Sequence, residues 1–132
     1  MIGLDTNVVI RYLVRDDEAA FQITKHLLQS THKTQDKLLI SFAVLLECEW
    51  VLRSSYRVSK QGVALLLGAL LASGEVSFED EAVVELALRD WQNTSADFAD
   101  CVIFHAYVRT GCASIATFDR RAAVLPKARL LR

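Results

Sequence analysis

Apolar positions along the chain follow two rhythms. Short, nearly unbroken runs occur at Ile2-Gly3-Leu4, Leu38-Leu39-Ile40, Val76-Ser77-Phe78 and Ser114-Ile115-Ala116. Their length and continuity predict strands buried in a parallel sheet, and residues 129–131 offer a fifth. Between them, apolar residues recur every three to four positions, which predicts helices at about residues 7–14, 17–32, 42–55, 60–72, 80–92 and 97–110. Alternation of this kind implies a parallel sheet with helices on both faces. In such folds chemistry gathers beyond the carboxyl ends of the strands, and Asp5 stands at one of those ends.

Length and composition narrow this picture without redirecting it. The chain has 132 residues, 52% of them hydrophobic, a single proline and no low-complexity stretch or repeat, so one domain over residues 1–132 is expected. A net charge of −1 and a pI near 6.3 exclude wholesale electrostatic binding of nucleic acid but allow a local basic patch. Cys48, Cys101 and Cys112 are odd in number and lack metal-site spacing, so neither a disulfide framework nor a zinc site is expected, and a cytoplasmic setting fits. No signal-peptide pattern opens the chain, and the greasiest run, VALLLGALLASG, is too short to span a membrane. The sequon Asn93-Thr94-Ser95 reads as a helix-boundary loop.

The acids carry the chemistry. In FAVLLECEWVLRSSY, Glu49 precedes Arg53 by four residues, the favoured orientation for a helical ion pair, and reads as a solvated-edge residue. Glu47 has Ala43, Val44, Trp50 and Val51 at the neighbouring helical spacings, so an unpaired charge is expected on an apolar stripe. In NTSADFADCVIFHAYVRTGC, Asp97 and Asp100 lie one turn apart on one face, where like charges repel. Asp97 also suits a helix start, as Asp5 suits a cap before Thr6 and Asn7 and as Asp119 suits one before Arg120. Taken together, Asp5, Glu47, Asp100 and Asp119 all map to strand ends or early helix turns on one edge of the sheet. Converging carboxylates repel unless a cation neutralises them, and hard oxygen donors select Mg²⁺ or Mn²⁺.

The motifs Asp5-Thr6-Asn7, Leu45-Leu46-Glu47 with Trp50-Val51-Leu52, Asp97-Phe98-Ala99-Asp100 and Thr117-Phe118-Asp119, in this order and spacing, resemble the PIN domain. Their wording is similar to that of the VapC-type ribonuclease toxins of toxin-antitoxin pairs, and the resemblance covers essentially the whole chain. It implies a three-layer α/β/α sandwich with a central parallel sheet of four or five strands, and a metal-dependent endoribonuclease acting on RNA. It implies further that Asp5, Glu47, Asp100 and Asp119 hold one or two Mg²⁺ or Mn²⁺ ions, with Asp97 a further candidate. Thr6, Thr117 and, more weakly, Asn7 match positions that orient water or ligand. A homodimer and a small cognate antitoxin, inserting a basic residue into the acidic pocket, are implied as partners.

Metal chemistry of this kind needs no histidine base, so His26, His32 and His105 are expected to be solvated or structural. Cys101 should face away from Asp100 and pack, and Trp50 and Trp91 suit a core or an interface. Arg11, Arg15, Arg120, Arg121, Lys127 and Arg129 are equally suited to a rim for RNA phosphates and to ordinary solvated surfaces. Two other readings compete. A receiver-like phosphotransfer domain needs an aspartate after its third strand, where this chain has Phe78-Glu79-Asp80 opening a helix, and a catalytically idle PIN-like module would bind RNA or protein without cleaving.

Overall fold

The computed structural model describes all residues from Met1 to Arg132. Two compact units divide the chain, Met1–Glu79 and Asp80–Arg132.

In the first unit the order is β1 (Ile2–Gly3), α1 (Thr6–Leu13), α2 (Glu18–Thr34), β2 (Leu38–Ile40), α3 (Phe42–Ser54), α4 (Lys60–Ser73) and β3 (Ser77–Phe78). The three strands pair in parallel in the order β1-β2-β3, with Ile2 opposite Leu38 and Leu39 opposite Ser77. Parallel pairing needs a long crossover, and each is supplied by a pair of helices. Side-chain caps start most of these helices: Asp17, Ser41 and Ser59 accept amide hydrogens from Ala20, Val44 and Gly62 at 3.1, 3.2 and 3.1 Å. Gly74 ends α4 in the left-handed conformation at φ +70°, where a Cβ would be strained. The middle strand carries the core, since Leu38 and Ile40 are buried together with Leu45, Leu52, Val63 and Leu67. The outer strand β1 leaves Ile2 and Gly3 exposed, unlike the fully buried strand its apolar run suggests.

The second unit holds α5 (Glu81–Asn93), α6 (Phe98–Arg109), β4 (Ile115–Thr117), a 3₁₀ turn at Ala122–Val124 and β5 (Ala128–Leu130). β4 and β5 pair in parallel, so all five expected strands form, hydrogen-bonded as a group of three and a group of two. Helices α5 and α6 pack through Trp91 and Phe98, whose ring centroids lie 5.0 Å apart, and Cys101 is buried in the same core, as expected. His105 is buried and meets Asp90 at 2.5 Å, a structural role.

The structure corrects the reading of α3. Glu49, expected at a solvated edge, is only 4% exposed and is held by Arg53, whereas Glu47, expected on an apolar stripe, is exposed. The ion pair forms as its spacing predicts, but the helix is rotated so that the paired acid, not the lone one, turns inward. Exposure removes the desolvation cost that an unpaired Glu47 would otherwise carry. Trp50 is likewise 60% exposed and belongs to no core, while Trp91 is buried.

Candidate metal centre

Asp5 follows β1 directly, after Leu4 donates its N–H to the Leu39 carbonyl at 2.9 Å. It occupies the N-cap of α1 in extended conformation, and its Oδ1 accepts the Thr6 N–H at 2.8 Å. Capping therefore engages one carboxylate oxygen and leaves the other for a ligand. Asp5, Thr6, Asn7, Arg11, Glu47 and Tyr56 line a concavity of about 280 Å³ with Ile10 and Val51. Thr6 is buried, and its Oγ1 has no hydrogen-bond partner, an unusual state for a buried hydroxyl. The buried Cys48 beside it donates weakly to the Thr6 carbonyl at 4.0 Å. Burial above all, with the charges of Glu47 and Asp5, pushes that thiol up to about 12, so it stays protonated and both carboxylates act on the same spot.

The second unit gathers Asp97, Asp100 and Asp119. Asp97 sits at the N-cap of α6 but makes no capping bond, contrary to a pure helix-start role. Its Oδ1 instead accepts from Arg121 Nη2 at 2.8 Å. Asp100 is half-buried in the first turn. Its carboxyl is held above the usual carboxylate range by burial first, then by the charges of Asp119 and Asp97, with Arg121 pulling the other way. Asp119 lies in a tight turn after β4: its N–H donates to Thr117 Oγ1 at 3.0 Å, and its Oδ1 accepts the Arg121 N–H at 2.8 Å. Thr117 thus holds the turn that presents Asp119, and a 3₁₀ turn at Ala122–Val124 follows.

The structure brings Asp5 together with Glu47 in one unit, and Asp97, Asp100 and Asp119 together in the other. Nowhere are three His, Cys, Asp or Glu side chains drawn close enough to enclose an ion. The donor chemistry nonetheless fits a hard divalent cation. Every donor is an oxygen, the Thr6 hydroxyl is unsatisfied, and Asp100 is penalised by burial and by like charges, both of which a cation would offset. Sequence reasoning placed Arg121 only among rim cations; a spacing of two residues from Asp119 contains no signal that its side chain reaches back to Ser95 and Asp97.

A search of curated proteins found no match. A family model does match: that of the PIN domain, over residues 2–128. PIN domains are generally nucleases that use divalent metal ions, and the alternation of helices with parallel strands here is consistent with their three-layer α/β/α fold. With nearly its whole length matched, the chain belongs to the PIN domain family.

Proposed function

We propose that this chain is a Mg²⁺- or Mn²⁺-dependent endoribonuclease, the toxin of a VapC-type toxin-antitoxin pair, working in the cytoplasm as a single domain over residues 1–132. The observation that carries the reading is the grouping of Asp100, half-buried in the first turn of α6, with Asp97 and Asp119, where Arg121 meets Asp97 and a bound cation would relieve the remaining acids. The family match supports it, since residues 2–128 include both acid groups.

Asp5, Glu47, Asp100 and Asp119 would hold the metal. Bound there, one or two divalent ions supply polarisation of the scissile phosphate and acidification of the attacking water. The chain's own residues do the positioning. Asp5 is fixed by its bond to the Thr6 amide, and Asp119 by the turn that Thr117 closes. Thr6, whose hydroxyl has no partner, and Asn7 line the same concavity and would orient water or a phosphate oxygen.

The expected partners are RNA, a second copy of the chain, and a small antitoxin whose inserted arginine or lysine would replace the metal's charge. Among basic residues, Arg120, Lys127 and Arg129 are exposed and suit RNA phosphates. No helix is long and apolar enough to cross a membrane.

One observation favours a second reading, an idle PIN-like module that binds RNA or protein without cutting: Asp97, Asp100 and Asp119 are grouped but not close enough to enclose an ion. Metal separates the two. Incubated with total RNA, a nuclease cleaves with Mg²⁺ or Mn²⁺ and stops with chelator, and mapping the new ends identifies the bond cut. Binding without cleavage under both conditions would establish the idle module.

A further inference from the structure

Asp97 occupies the N-cap of α6 without capping it. An aspartate at that position ordinarily accepts an amide hydrogen from the first turn. Here the acceptor is turned instead to Arg121, whose Nη2 donates to Asp97 Oδ1 at 2.8 Å. The same guanidinium donates through Nε and Nη2 to the Ser95 carbonyl at 3.1 and 2.9 Å, and the Arg121 backbone N–H donates to Asp119 Oδ1 at 2.8 Å. One residue therefore grips an acid on the helix with its side chain and an acid after the strand with its backbone. Only a planar fork satisfies a carbonyl and a carboxylate at once in this way.

The charge balance shows what this grip is for. Within the second unit, Asp100 and Asp119 alone already match the charge of one divalent ion. A third carboxylate beside them, unpaired at Asp97, would add repulsion to a balanced pair. Resting on the metal reading above, we propose that Arg121 is a positioning residue of that centre, a resident counter-cation that neutralises Asp97 and keeps its carboxylate out of the ligand set. Asp100 and Asp119 are then the second unit's ligands. The pair is exposed on both sides and contributes little to stability, so it can be altered without unfolding the chain.

The test is Mn²⁺ affinity, measured by titration calorimetry on the full chain as wild type, Arg121→Gln, Asp97→Asn and the double variant, with melts in chelator to verify folding. Removing the counter-cation should tighten Mn²⁺ binding about three- to tenfold, and removing Asp97 alone should weaken it by a similar factor. The double variant should return to within about twofold of wild type, because the two lost charges cancel. The gain in Arg121→Gln should shrink as salt is raised. Asp97→Asn and the double variant both losing far more than tenfold would make Asp97 a ligand and overturn the proposal. Four equal affinities would also overturn it, reducing Arg121 to a surface ion pair. A wild-type chain that binds no Mn²⁺ would instead remove the metal reading itself, an outcome distinct from either.

Discussion

Asp5 Oδ1 accepts the Thr6 amide hydrogen at 2.8 Å, a bond that an asparagine oxygen makes equally well. Asp5→Asn should therefore melt within about 0.5 kcal/mol of wild type in chelator, while RNA cleavage falls about 10²–10³-fold if the carboxylate serves the metal. Full activity in that variant would return Asp5 to capping alone. Asp100 allows a pH test of its burial and of the acids around it. Because its carboxyl lies above the ordinary range in the folded chain, the fold holds that proton more tightly than the unfolded chain does, and stability falls as pH rises through this window. In chelator Asp100→Asn should melt higher than wild type at neutral pH, and the difference should close as the pH drops through the carboxylate range. A difference that stays constant with pH would mean that neither burial nor the neighbouring acids raise the Asp100 carboxyl.

Helix α3 illustrates how an element settles what its residues leave open. Glu49 is buried and ion-paired to Arg53, so Arg53→Ala would strand a carboxylate away from water. Because the arginine head remains about half exposed, at 45%, the loss should be about 2 kcal/mol, below that of a fully buried pair, as read from urea unfolding. Helix α2 ends on Gln35 at φ +56°, a left-handed position that favours glycine. Gln35→Gly should stabilise the chain by up to about 1 kcal/mol, a rise of a few degrees in melting temperature, unless the freedom glycine adds to the unfolded chain cancels it. A fall in melting temperature would show that the glutamine side chain matters more than its backbone.

For the molecule as a whole, one metal-binding domain should show two linked behaviours. Mn²⁺ at 100 times its dissociation constant should stabilise the fold by about 2.7 kcal/mol, and chelator should reverse the effect. Melting unmoved by either would leave the acids without a metal. The two compact units should also unfold together. Trp91 is buried in the second unit and Trp50 exposed in the first, so in a Trp50→Phe background fluorescence follows Trp91 while circular dichroism follows all helices. Coincident transitions support one cooperative domain; separate midpoints would divide it.

Much of this protein was determined locally. Helix starts at Asp17, Ser41, Ser59 and Asp80, the strand runs and their parallel alternation follow from capping chemistry and apolar periodicity, which act over a few residues and are visible in any stretch of chain. The candidate acids were legible for the same reason, because strand ends and first turns are positions in sequence as much as in space. What periodicity could not decide was rotation and reach. Glu47 and Glu49 are two residues apart on one amphipathic helix, and only packing against the rest of the unit chose which of them turned inward. Strand burial was likewise set by pairing, which left β1 on the outside of its sheet and β2 at the centre. Arg121 is the clearest case: its partners Ser95 and Asp97 lie more than twenty residues away, and a contact over that separation exists only once the chain has folded to bring them together.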